Sequence, residues 1–331
     1  MTNQTQRDTI YTSQGVTMNY NLGYACINMA LSYPEKGKER ITTNRGMIKR
    51  TFQQKGLPYA SALTLQNTKD LLQILQWNEQ HGIKFYRMSS DLIPWASEYD
   101  LKDLPDFDAI EEALYEAGLY AAEHDMRITT HPGHFNKLTS PKEDVIQRTM
   151  RDLEIHGEIF DLMCLPRTHF AKINIHVGAT YNDRKMALDN FCKNFERLPE
   201  SVRSRLTVEN DDKASLYSTK ELYDEVYSRI GVPIVFDYHH HKFCTGDQTE
   251  HEAVHLAAST WGDIRPVVHY SESRADEYND ASIKPQAHSD SYVNPIDLHG
   301  LDLDVMLEAK HKEVALFKMR ELLKNNLTIA A

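Results

Sequence analysis

No stretch of this 331-residue chain approaches the ~18 consecutive apolar residues that a membrane-spanning helix needs, so a helical membrane protein is not expected. There is no CxxC pair. The four cysteines, Cys26, Cys164, Cys192 and Cys244, are scattered, which argues against a thiolate zinc site and fits reduced thiols that pack as small hydrophobes. No segment is low in complexity, and none repeats at a solenoid period. Neither a GxGxxG after a strand nor a GxxxxGK[ST] loop occurs, which leaves a nucleotide-binding open sheet without support. The polar opening, Met1–Ile10, lacks the apolar region of a secretory signal, and a cytoplasmic protein is the expectation.

Positive charge is also in deficit, with a formal net charge of −11. That sign weighs against a nucleic-acid partner, but the deficit is uneven. Between Tyr33 and Gly56 the basic residues Lys36, Lys38, Arg40, Arg45, Lys49, Arg50 and Lys55 face only Glu35 and Glu39. Carboxylates that ligate metal would also be neutralised locally. The stretch is therefore a candidate phosphate-contact region, with a solvated loop as the plainer alternative.

What the chain does have is alternation. Strands are expected at Asn21–Met29, Ile83–Met88, Arg127–Thr130, Phe170–Val177, Arg205–Val208, Pro233–Asp237, Val267–Tyr270 and Leu303–Leu307. Between and after them, apolar residues at helical spacing predict helices over Thr68–His81, Phe107–His124, Pro141–Asp161, Asp183–Arg197, Thr219–Ile230, Gln248–Thr260 and His311–Asn325. Eight strands, nearly all of them followed by a helix, in a chain of this size, predict a single-domain (β/α)8 TIM barrel.

The polar residues fall at the strand ends. His131 follows the third strand, His176 ends the fourth, Glu209 the fifth, Asp237 the sixth with His240 beyond it, His269 lies in the seventh, and Glu308 follows the eighth; His288 lies in the loop between the last two. In a barrel these ends converge on one mouth. A single such histidine is usually an ordinary polar residue, but six consecutive strands each delivering His, Asp or Glu form a ligand set. Imidazole and carboxylate without thiolate suit Zn²⁺, Mn²⁺ or Fe²⁺, and the number of ligands suits two or three ions sharing a carboxylate. Paired ions of this kind activate water and stabilise the leaving oxygen in phosphodiester hydrolysis, while a metal-dependent sugar isomerase or epimerase is the competing class. His239 and His241 flank the Asp237/His240 pair and are expected to support it or to face solvent.

Several motifs resemble, in order, those of the UV damage endonuclease family. They are Gly23–Asn28, Tyr86–Pro94, His131-Pro132-Gly133, Ile175–Gly178, Val208–Asp211, Phe236–His240, His288-Ser289-Asp290 and Glu308-Ala309-Lys310, together with the basic stretch around Thr43-Asn44-Arg45. The resemblance runs from about Gly23 to the C-terminal helix. It implies a TIM barrel related to the endonuclease IV group, with two to three divalent ions, Mn²⁺ first and Zn²⁺, Co²⁺ or Mg²⁺ as alternatives. It implies cleavage of damaged double-stranded DNA on the 5′ side of cyclobutane dimers and 6-4 photoproducts, leaving a 3′-hydroxyl and a 5′-phosphate. Carried over by residue, His131, His176 and Glu209 form one metal site; Glu209, Asp237, His269 and Glu308 form a second, bridged by Glu209; and His240 and His288 belong to a third. Tyr24 and Asn28 match residues near the lesion, and Arg45, Arg87 and Lys310 are the candidate phosphate contacts. An abasic-site endonuclease is the alternative within the same group.

Three departures qualify the resemblance. The family's Gln-Tyr wedge is His134-Phe135 here, where Phe135 still stacks and His134 hydrogen-bonds with a different reach. A third-site histidine is replaced by Glu98, which either substitutes as a ligand or leaves that site weak. A lysine two residues before His269 is replaced by Val267. The expected organisation is a polar N-terminal extension over 1–17 and one barrel domain over 18–327, with a basic first loop over 33–56. The expected protein is a monomer without an obligate protein partner, associated with the nucleoid when bound to DNA.

Overall fold

The computed structural model describes residues 8–11 and 17–330. Its centre is a closed barrel of eight parallel strands: β2 (Thr17–Ala25), β3 (Phe85–Met88), β4 (Arg127–Thr130), β5 (Ile173–His176), β6 (Leu206–Glu209), β7 (Ile234–Asp237), β8 (Val267–Tyr270) and β9 (Leu303–Leu307). Each pairs with the next, and β2 also pairs with β9, Tyr20 opposite Leu303 through Tyr24 opposite Leu307, which closes the ring. A short strand β1 (Asp8–Tyr11) pairs antiparallel with β2. Most of the expected 1–17 extension lies outside the described residues, but this part of it is a strand added to the sheet.

The connections are helical: α1 (Met29–Ser32), α2 (Lys49–Gln80), α3 (Phe107–Glu123), α4 (Glu143–Leu162), α5 (Arg184–Phe195), α6 (Glu200–Arg203), α7 (Thr219–Leu222), α8 (Ser228–Ile230), α9 (Tyr238–His241), α10 (Glu250–Ala258), α11 (Arg274–Tyr278) and α12 (Lys312–Ala330). A π-helical turn over Tyr223–Tyr227 joins α7 to α8, so the single helix expected over Thr219–Ile230 is interrupted. Apolar faces such as Ile110, Leu114, Ala117 and Ala121 of α3 are buried against the sheet. The strands are buried along nearly their whole length, as a parallel sheet covered on its outer face requires.

Several boundaries differ from the sequence reading; the helix expected over Thr68–His81, for one, is the second piece of α2, and the strand expected over Phe170–Val177 is only Ile173–His176. The first barrel strand ends at Ala25 rather than Met29, because Cys26 takes a positive φ of 71° and Asn28 accepts a hydrogen bond from Leu31 N–H as the cap of α1. The basic first loop is shorter than 33–56, because helix begins at Lys49. There Phe52 stacks on Trp95, with ring centroids 5.9 Å apart, and anchors the turn. Gly56 (φ 62°, ψ −160°) breaks α2 into two pieces, and Pro58 follows at the start of the second, where its missing N–H costs nothing. Among the described residues, no helix is long and apolar enough to cross a membrane.

Candidate metal centre

The barrel register brings the site together. Pairing of β5 with β6 sets His176 beside Glu209, and pairing of β7 with β8 sets Asp237 beside His269. His131 follows β4 and Glu308 follows β9, so all open onto the C-terminal mouth. Glu209 is the hub. Its Oε2 lies 3.0 Å from His269 Nδ1 and 3.3 Å from His131 Nε2; its Oε1 lies 3.3 Å from His240 Nδ1 and 3.8 Å from His176 Nε2. Glu308 Oε1 is 3.2 Å from His269 Nδ1.

Three groups of side chains have donor atoms close enough to share an ion: His131, His176 and Glu209; Glu209, Asp237 and His240; and Asp237, His269 and Glu308. The donors themselves test the fit. Asp237 spends Oδ1 on capping α9 through His240 N–H at 2.8 Å, while its buried Oδ2 has no hydrogen-bond partner. His269 Nδ1 is also buried without a hydrogen bond. Leaving such atoms unpaired is costly, and a cation supplies what they lack.

Electrostatics agree. Burial pushes the Glu209 carboxyl up, but His269, His176, His131 and His240 outweigh it and hold it well below the usual range. Burial also drives Glu308 up, and Arg87 and His269 reverse the shift. Asp237 is lifted to about 6 by burial, only partly offset by His240. Burial lowers His269 to about 4. Burial thus holds His131 and His269 toward the neutral form that ligates metal, whereas Glu209 and Asp211 raise His176, and Asp237 and Glu209 raise His240, so a cation bound there would displace protons from those two rings.

Supports surround the ligands. Asn174 Nδ2 donates to Glu209 and is itself oriented by Thr207 Oγ1, at 2.8 Å. Asn210 accepts from Asp237 N–H at 2.8 Å, and its carbonyl accepts from His240 Nδ1 at 2.9 Å, which leaves His240 Nε2 for a ligand. Asp211 Oδ1 is 3.2 Å from His176 Nδ1. Lys172, fully buried, places Nζ 3.3 Å from His269 Nε2. Sequence reasoning missed Asn174, Lys172 and the supporting roles of Asn210 and Asp211. The signal was closeness to a ligand: Lys172 and Asn174 alternate with His176, and Asn210 and Asp211 directly follow Glu209.

A model of the family UV-endonuclease UvdE matches residues 20–330. The chain belongs to this family. It is 36% identical over 309 residues to the UV-damage endonuclease of Schizosaccharomyces pombe, covering 90% of this chain and 50% of that one. It is 32% identical over 311 residues to that of Neurospora crassa, covering 89% and 46%. It thus spans about half the length of these two fungal relatives. The UV DNA damage endonuclease of Clostridium perfringens is 30% identical over 314 residues, covering 92% and 70%. Among solved structures, SacUVDE superposes with a TM-score of 0.77 at 29% identity, over 92% of this chain and 98% of that one. A D-tagatose 3-epimerase-like protein, at 15% identity, TM-score 0.53 and coverage of 77% and 92%, shares the fold.

Within this UvdE-family chain the remaining expected site residues fall in different places. His288 lies outside the three groups, yet its Nδ1 is 3.7 Å from Glu308 Oε2. Glu98 joins no group; it is exposed and lines a cleft with Phe135, Arg148 and Arg151. His239 and His241 are buried and join none either. His134 and Phe135 are exposed, Phe135 at 62%. Lys310 is exposed beside Glu308. Arg87 is committed to Glu308. Arg45 donates to Thr42 O, Arg40 O and Asp70 Oδ2, pinning its own loop. Tyr24 and Asn28 are fully buried: Asn28 Nδ2 donates to the Tyr24 hydroxyl at 2.9 Å, which donates to Asn78 Oδ1 at 2.7 Å. Their polar groups tie together β2, α1 and α2.

Proposed function

We propose that this chain nicks duplex DNA immediately 5′ of UV photoproducts, cyclobutane pyrimidine dimers and 6-4 products, by metal-dependent hydrolysis that leaves a 3′-hydroxyl and a 5′-phosphate. The observation that carries the reading is the ligand cluster around Glu209, opening on the same barrel mouth as an exposed His134-Phe135 tip. His131, His176 and Glu209 would hold one divalent ion; Glu209, Asp237, His269 and Glu308 a second; His240 with His288 a third. Manganese is the first candidate, with zinc, cobalt or magnesium as alternatives. Such ions lower the pKa of water and offset charge on the oxygens at phosphorus.

The chain's own residues do the rest. The exposed lysines and arginines from Lys36 to Lys55 hold the DNA backbone through a salt-sensitive field. Phe135 takes the space left by an unstacked lesion, whose extrusion costs less because its pairing is already damaged. Arg87 offsets the charge of Glu308 at the centre.

The test is a labelled duplex carrying one cyclobutane thymine dimer, incubated with Mn²⁺, with chelator, and with a Glu209→Ala variant. A single cut just 5′ of the dimer, lost in the last two, is expected. A cut confined to an abasic-site duplex would redirect the reading toward an abasic-site endonuclease. No cut on any duplex by metal-loaded protein would overturn it.

A further inference from the structure

Gly178, two residues past the His176 ligand, has a φ of +85°, and its bare backbone leaves a track for a side chain from another loop. A Cβ built there would meet Lys137 Nζ at 2.4 Å and its Cδ at 2.9 Å. Lys137 belongs to the loop after β4 that also carries Phe135. Its ammonium therefore crosses the rim of the barrel between the ends of β5 and β6, where Asp211 supports His176.

The loop that delivers it is braced. Lys137 N–H donates to Thr149 Oγ1 at 3.0 Å, Asn136 Nδ2 donates to Gly133 O at 3.0 Å and to Asp152 Oδ2 at 2.8 Å, and Asn194 Nδ2 donates to Leu138 O at 2.8 Å. Among the described residues, Lys137 Nζ has neither a hydrogen bond nor an ion pair. A half-buried cation with no hydrogen bond or contact ion pair, sensed only through space by Asp211 and Lys213 and fixed at the edge of a ligand centre, is available to an anion. Burial lowers the Lys137 ammonium, and Asp211 opposes that shift.

We infer that Lys137 binds a non-bridging oxygen of the DNA backbone next to the metal centre, so that one rigid loop carries both the wedge at Phe135 and a phosphate clamp two residues later. This rests on the nuclease reading above. It also gives Gly178 a purpose, since a side chain there would displace the clamp.

The test compares wild type, Lys137→Met and Lys137→Arg on a dimer-bearing duplex. Metal content, melting temperature, nicking, and binding across a series of salt concentrations are measured. Removing one phosphate contact lowers the slope of log K against log salt by about 0.9. Losing a charge-assisted hydrogen bond weakens binding about tenfold or more. Lys137→Met should show both at unchanged metal content, and Lys137→Arg should keep the wild-type slope. A wild-type slope in Lys137→Met, while wild type nicks normally, overturns this inference alone. Loss of metal from Lys137→Met also overturns it, in favour of a structural role. Absence of nicking by wild type overturns the nuclease reading and this inference with it.

Discussion

Glu209 and His269 face each other at 3.0 Å, and burial acts on them with opposite results. Both groups are driven toward neutrality by desolvation; His269 yields, falling to about 4, whereas Glu209, ringed by four histidines, stays ionised. An ionised carboxylate beside a neutral imidazole, with no satisfactory hydrogen bond at Nδ1, is a pair prepared for a cation between them. Glu209→Gln keeps the shape and removes the charge. We predict that it lowers bound metal by at least one ion per chain and cuts the nicking rate by a factor of about 10³ or more. Metal analysis after gel filtration, with single-turnover rates, decides it; full metal content in the variant would refute the hub role.

The barrel and the ligand row were legible because both are written in short-range pattern. Apolar runs ending in His, Asp or Glu recur at six consecutive β-to-α steps, and that periodicity fixes which residues share the mouth. What stayed illegible was long-range. Nothing in the sequence says that Asp70, 25 residues away, would claim Arg45, or that Tyr24 would spend its hydroxyl on Asn78. Lys172 could not be placed either, since its contact with His269 spans 97 residues and depends on the closure of the barrel.

That contact bears on an absence noted in the sequence. Val267 stands where the family resemblance implies a lysine, yet the ring of His269 still meets one, Lys172 at the entrance of β5, and burial pushes its amine well below the usual range, so that it can accept from Nε2–H while Nδ1 faces the metal site. A partner on the ring nitrogen away from the metal fixes a ligand's orientation, and its loss costs about 10–100-fold in metal affinity or activity. Lys172→Met should show a loss in that range, read by metal titration with the far-ultraviolet circular dichroism spectrum unchanged. Wild-type affinity in the variant would mean that Lys172 only fills space.

Arg45 separates two readings of the basic stretch. Its guanidinium donates to two carbonyls of its own loop and to buried Asp70 at 2.7 Å. Removing one member of such a pair leaves the other charge buried and costs about 3–5 kcal/mol. Because Arg45 itself is partly exposed, we predict less than that range, about 1–3 kcal/mol, for Arg45→Ala. The urea midpoint should fall accordingly. The salt dependence of DNA binding should change less than for Lys49→Ala, whose side chain is exposed. A stable Arg45→Ala protein with a reduced salt slope would restore Arg45 to the phosphate contacts.

Acid stability tests the far end of the barrel. His169, before β5, is pressed to about 4 by burial and by the Arg127 guanidinium, which also donates a hydrogen bond to the His169 carbonyl at 2.9 Å. An unfolded histidine titrates near 6.5. Between about 6.5 and about 4 the unfolded chain therefore binds a proton that the folded chain refuses, so the contribution of His169 is fully present above about 6.5 and lost as pH falls toward about 4. After discounting for partial exposure, the loss between about pH 7.5 and about pH 5 amounts to about 1 kcal/mol. His169→Gln cannot titrate. Its urea midpoint, measured with chelator present so that metal release does not contribute, should fall less over that interval than the wild-type midpoint. Parallel falls for the two proteins would show that His169 carries no proton linkage and would transfer the acid sensitivity to the ligand histidines at the mouth.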